Sequence, residues 1–150
     1  MIHRSYVVQT SILSELNTNK FSSNTFDLLK YMNRSYPNVT VTSLPMSAVY
    51  ARYLFSFDDT KTALEVLDNE TEFKDYTYYA ENLKAIIYRS IGIQDSSFHY
   101  AKQAYLNMPG NANHYEQYIR SLLSQKDSLS IVSSLNNVSY KSDVQFAHVF

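Results

Sequence analysis

The chain has 150 residues, 45% of them apolar, with 13 basic and 14 acidic side chains for a formal net charge of −1, and no cysteine. Near neutrality gives no reason to expect a nucleic-acid or anionic-membrane partner, and the missing cysteines exclude disulfides and thiolate metal sites. Glycine occurs only at Gly92 and Gly110, which leaves no Gly-rich phosphate loop and disfavours the many tight turns of a β-sandwich.

In chain order, Tyr6, Val7, Val8, Ser11, Ile12 and Leu16 recur at helical spacing, and that helix should end in the turn Asn17-Thr18-Asn19-Lys20. A second helix is expected from about Thr25 to Tyr36, with Ser23 or Asn24 as its cap and Pro37 as terminator. Val39 to Ser43 is rich in β-branched residues. Since no second such run exists to pair with it, it reads as a short extended linker. Pro45 is then placed in the first turn of a helix from about Leu44 to Ser56, where the missing amide hydrogen does no harm. Asp58-Asp59 makes the next turn and cap, and the helix after it should fail near Asn69.

The stretch from Tyr78 to Asn111 carries the clearest pattern. Leu83, Ile86, Ile87, Ser90 and Ile91 form one helical stripe, Phe98, Ala101, Ala104 and Tyr105 a second, and a glycine-containing break separates them. Asp95 is expected to cap the second helix and Pro109-Gly110 to end it. A further hairpin should begin with Asn113, where Glu116 three residues on suggests a capping box, and its second helix should follow Asp127. Two readings of the final SYKSDVQFAHVF stand: a capping helix, or the start of more chain in a larger array.

The Tyr78–Asn111 stretch resembles a tetratricopeptide repeat. Ala85 and Ser97 stand at the small positions of the two helices, with Tyr88, Gly92, Ala104 and Pro109 at the aromatic, turn, small and terminator positions. Glu81, Lys84 and Ala101 depart from the family's Trp, Leu and aromatic. A shift of about 34 residues repeats the pattern. Ala51, Leu54, Asp58, Ala63 and Leu67 precede Ala85, Tyr88, Gly92, Ser97 and Ala101, and Ile119, Leu122, Lys126, Ile131 and Leu135 follow them. An earlier copy holds Leu13, Leu16, Thr25, Leu29 and Met32, offset by the insert Val39–Ser43. The resemblance implies an all-α chain, a right-handed α-solenoid of about four helix–turn–helix hairpins at roughly 6–39, 44–77, 78–111 and 112–145 with a short C-terminal capping segment, forming a single domain. Most of the 14 tyrosines and eight phenylalanines should then lie between hairpins.

Such arrays hold a peptide or partner helix in the groove lined by the first helix of each hairpin. Projection gives Arg52 and Phe55, then Tyr79, Asn82, Ile86 and Arg89, then Glu116, Arg120 and Leu123. The recurring arginines suggest an acidic peptide or a C-terminal carboxylate, because the guanidinium fork donates two hydrogen bonds at once. The expected function is a non-enzymatic interaction scaffold. The alternative rests on AKQAYLNMPGNANHYEQYI, which resembles the soluble repeat tails of O-antigen ligase or polymerase-like membrane glycosyltransferases and implies no active site in this chain.

No motif supports chemistry. His3, His99, His114 and His148 form no zinc-binding pair, Asp58-Asp59 reads as a cap, and the serines lack a nucleophile-elbow context, so neither cofactor nor metal is expected. The sequons at Asn33, Asn38, Asn69 and Asn137 are ordinary in a chain this rich in Asn, Ser and Thr. No apolar run reaches the ~18 residues of a membrane span, and the polar N-terminus is a poor signal peptide. A soluble protein is expected, cytoplasmic by default and periplasmic if it is a membrane protein's tail.

Overall fold

The computed structural model describes the backbone of residues 2–32, 39–40, 42–69 and 76–136, and the side chains in those ranges except at 2–6, 31–32 and 135–136. These residues form eight helices and no named strand: α1 (Ile2–Thr18), α2 (Ser23–Met32), α3 (Met46–Ser56), α4 (Thr60–Asp68), α5 (Tyr79–Ser90), α6 (Gln94–Asn107), α7 (Ala112–Gln125) and α8 (Ser128–Asn136). The chain is therefore all-α, as its helical period and scarce glycine require. Among the described residues no helix is long and apolar enough to cross a membrane. Pro37, the sequons at Asn33, Asn38 and Asn137, and the final SYKSDVQFAHVF lie outside the described residues.

Two compact units divide the chain, Met1–Asp75 and Tyr76–Phe150, each with two helical hairpins. In the first unit α2 packs against both α1 and α3, and α3 against α4. Val8, Ile12, Leu29, Met46, Val49 and Tyr53 form its buried core, with Phe21 and Phe26 against them. Phe26 stacks on Phe57 at 5.0 Å and on Tyr50 at 5.6 Å, and Phe21 meets the Tyr53 ring edge-on at 4.9 Å. The expected aromatic-rich helix interfaces are thus present.

Three local expectations in this unit are corrected. The cap of α2 is Ser22 rather than Ser23 or Asn24: its hydroxyl oxygen accepts from the Thr25 amide at 3.2 Å. Pro45 stands just before α3, at its N-cap with φ −58° and ψ 131°, not inside the first turn. The segment before it is a tight turn rather than an extended linker. The Thr40 amide donates to the Leu44 carbonyl at 2.8 Å and the Ser43 amide to the Thr40 carbonyl at 3.0 Å, so that Val39 bridges Pro45. The Thr40 hydroxyl also accepts from the Leu44 amide at 3.1 Å, which satisfies a backbone donor inside the turn. Partnering came from four to six residues along the same turn, not from a second β-branched run.

The hairpin turns repeat in backbone conformation. Asn19, Asp58, Gly92 and Lys126 all have positive φ, at 53°, 64°, 82° and 59°. The last three stand 34 residues apart, and Asn19 lies five residues further back than that spacing. At each, the following amide reaches back to the carbonyl five residues earlier: Lys20 to Glu15, Asp59 to Leu54, Ile93 to Tyr88, Asp127 to Leu122. Each bond satisfies a carbonyl left open at the end of the first helix. Asp59 then caps α4 by accepting from the Thr62 amide at 3.2 Å, as expected, and α4 closes at Asn69.

In the second unit α6 packs against both α5 and α7, α5 also meets α7, and α8 packs on α7. Ala85, Ala101, Tyr105, Tyr115, Tyr118, Ile119 and Leu122 form the buried cluster. The two small positions meet directly: the buried Ser97 hydroxyl donates to the Ala85 carbonyl at 2.9 Å, a contact that a larger side chain at either position would wedge open. Two expected caps are displaced. Asp95 lies inside the first turn of α6, whose N-cap is Ile93 without a side-chain bond, so its carboxylate can serve only the helix dipole. The cap of α7 is Asn111 and not Asn113; its Oδ1 accepts from the amides of Asn113 at 3.0 Å and His114 at 3.3 Å. The helix after Asp127 is present as expected, and Asp127 caps it, accepting from the Ser130 amide at 3.0 Å.

Candidate functional site

The residues singled out for partner binding fall in both units. In the first, Arg52 and Phe55 sit on α3. The Arg52 guanidinium donates to Asn19 Oδ1 and lies 5.2 Å from the Phe21 ring centroid and 5.7 Å from that of Phe55. Phe55 and Arg52 are thus neighbours, and the arginine is engaged by the α1–α2 turn. A cation flanked by two aromatic faces is steadied by their quadrupoles.

In the second unit, Tyr79, Asn82, Ile86 and Arg89 lie on α5 and Glu116, Arg120 and Leu123 on α7. The fold brings Arg89, Glu116 and Arg120 into one electrostatic cluster. Arg89 is half-buried and its Nη1 donates to Gln117 Oε1 at 2.5 Å, linking α5 to α7. Arg120 reaches Glu116 Oε1 through Nε at 2.8 Å and Nη2 at 2.7 Å. Burial lowers the Arg89 pKa from its ordinary value, the Arg120 charge lowers it further, and Glu116 partly offsets both. One guanidinium, Arg120, is paired with the carboxylate, while Arg89 is held by Gln117 and feels both charges. The excess positive charge is a physical reason for an outside anion to settle there.

Asn82 adds a second feature. It is 6% exposed, and its Oδ1 is buried without a hydrogen-bond partner among the described residues. Tyr79 is half-buried at the start of α5, and Leu123 is exposed at the end of α7.

Sequence projection missed Gln117, which ties Arg89 in place, because only outward positions were projected. A signal existed. In the 34-residue register Gln117 follows Val49 and Leu83, His114 follows Met46 and Ala80, and Ser121 follows Tyr53 and Ile87. All nine are buried. Only α7 is polar at all three positions, so it departs from the pattern along one buried stripe. Among the described residues no group of His, Cys, Asp or Glu is arranged to hold a metal ion. Comparison of the chain with protein-family models, with curated proteins and with solved structures gives no match.

Proposed function

We propose that this chain is a non-enzymatic protein–protein interaction scaffold, a right-handed α-solenoid of tetratricopeptide-like hairpins that binds a peptide or partner helix along the first-helix face. The observation that carries it is the Arg89–Gln117 link beside the Glu116–Arg120 pair. It sets Arg89, held by the Gln117 amide, beside an Arg120 whose only paired carboxylate among the described residues is Glu116, a charge arrangement completed by a further carboxylate. The recurrence of left-handed turns at Asp58, Gly92 and Lys126 supports stacking of like hairpins. Arg52 and Arg120 share one position of that register, and Phe55 and Arg89 share another.

The test is isothermal titration of peptides ending in two acidic residues, each with a free and an amidated C-terminus, against the wild type and the Arg89→Ala, Arg120→Ala double variant. Binding should weaken about tenfold or more on losing the two cations. Equal affinity of wild type and double variant for every peptide would sink the proposal.

A further inference from the structure

The second unit holds a groove of about 380 Å³, remote in chemistry from the arginine cluster. Its volume falls in the range of small-molecule sites. Tyr105 on α6 and Tyr118 on α7 form one part, their rings stacked at 4.8 Å and 11°. Ser130, Ser133 and Ser134 on α8 face into it, and Leu106 and Pro109 make an apolar rim. Every lining residue is uncharged.

The tyrosine hydroxyls are what set this groove apart. Tyr105 is 5% exposed and Tyr118 9%, but neither hydroxyl is sealed inside the protein, and neither bonds to a described residue. A tyrosine with a buried ring keeps its hydroxyl where water, or a ligand in water's place, can meet it. Both phenols stay protonated: burial raises their pKa, helped for Tyr105 by Tyr115 and Tyr118 and for Tyr118 by Asp127. The serines complement them as acceptors. Ser130 donates its hydrogen to Asp127 Oδ2 at 2.6 Å and Ser134 donates its own to the Ile131 carbonyl at 2.7 Å, with the Tyr115 hydroxyl 3.4 Å from Ser134 Oγ, so both serine oxygens are left to act as acceptors. The Asp127 carboxylate is itself taken up by the Ser130 amide and hydroxyl.

We infer that this groove is a binding site for a neutral sugar, with the Tyr105 and Tyr118 hydroxyls and the α8 serines meeting its hydroxyl groups and the Leu106–Pro109 rim meeting a C–H face. A pyranose presents just these two surfaces, hydroxyls around its edge and apolar C–H groups on its faces. An uncharged ligand fits because the groove supplies donors and acceptors without a counter-ion. A free cation or anion would leave its water for a site unable to neutralise it. The inference is independent of the peptide site, which uses other side chains.

The experiment is a titration of the ¹⁵N-labelled full chain with the methyl glycosides of glucose, galactose, mannose and N-acetylglucosamine, followed by amide chemical shifts. Glucosamine and glucuronate serve as charged comparisons. At least one neutral glycoside should give saturable shifts centred on Tyr105, Leu106, Tyr118 and Ser130 to Ser134, with a Kd on the order of millimolar. Tyr105→Phe and Tyr118→Phe should each weaken it about tenfold. Because those hydroxyls have no protein partner, both variants should melt no lower than wild type, which separates lost binding from lost folding. No saturable response to any neutral glycoside, equal binding by both variants, or a response to glucosamine alone would overturn the assignment.

Discussion

The Tyr53 hydroxyl donates to the Glu15 carboxylate at 2.7 Å across 38 positions of sequence, tying α3 to α1. The same carboxylate accepts from the Thr25 hydroxyl at 2.6 Å, the Ser22 hydroxyl at 2.9 Å and the Ser22 amide at 3.0 Å. One acidic side chain thereby joins α1, the start of α2 and α3. Tyr53→Phe removes one charge-assisted bond at a fully buried ring, and we expect a loss of about 1–3 kcal/mol in urea unfolding at neutral pH. A loss below ~0.3 kcal/mol would show that the bond adds nothing to the ring's packing.

The cluster also sets a pH dependence. Burial pushes the Glu15 pKa up, but the hydrogen bonds from Thr25, the Ser22 amide, Tyr53 and the Ser22 hydroxyl outweigh it and leave the pKa below the ordinary value. A carboxyl lowered on folding stabilises the fold above its unfolded pKa, and that stability disappears as pH falls through the folded value. Wild type should therefore be more stable than Glu15→Gln at neutral pH, with the gap closing on acidification below the ordinary glutamate range. A gap that is constant from neutral to acid pH would contradict this origin.

The turn residues give a signed pair. Gly92 has φ +82°, and a Cβ placed there meets nothing within 4 Å, so Gly92→Ala pays only for the left-handed backbone, about 1 kcal/mol. Lys126 already bears that strain at φ 59°. Lys126→Gly should relieve it and gain up to ~0.5 kcal/mol after the entropy of a freer unfolded chain is subtracted. Thermal unfolding of both variants checks the signs, and a Gly92→Ala protein as stable as wild type would refute the argument.

The displaced α7 cap can be checked directly. Asn111→Ala removes the oxygen that accepts from Asn113 and His114, and should cost about 1 kcal/mol. Asn113→Ala, inside the helix and exposed, should be neutral or slightly stabilising, since alanine is the better helix former. If Asn113→Ala proves the more damaging of the two, the cap has been misplaced.

Ser97 tests the close approach of α5 and α6. Ser97→Ala keeps the size and loses the bond to the Ala85 carbonyl, for about 1 kcal/mol, whereas Ser97→Leu should cost more by forcing the helices apart. A leucine variant that melts with the alanine variant would mean that the interface has room to spare.

The helices, their order and the hairpin turns were legible in the sequence because each rests on short-range physics. Apolar spacing marked Val8, Ile12, Leu83 and Ile87 as buried, although Val7 and Ile91 in the same stripes are exposed, and Asp59 caps the helix that follows it as its position suggested. The register that aligned Asp58, Gly92 and Lys126 reappears as one shared left-handed backbone state, although only one of the three is glycine. Ala85 and Ser97, picked out as small, meet through a hydrogen bond.

Less was legible where several residues of similar chemistry compete. Ser22, Ser23 and Asn24 are all good caps, as are Asn111 and Asn113, and the choice turns on where the chain arrives, which local propensity does not encode. Val39–Ser43 looked unpaired because its partner was a proline and a leucine rather than another strand-like run.

By itself, then, the sequence determined an all-helical chain with a repeating hairpin of 34 residues, since period, caps and turns act over a few residues. Tertiary structure alone decided which polar groups meet. It placed Glu15 under Tyr53, Gln117 against Arg89, and Tyr105 and Tyr118 in one groove with the serines of α8. Those pairings join separate helices of a unit, and only packing brings such distant groups within the few ångströms over which a hydrogen bond acts.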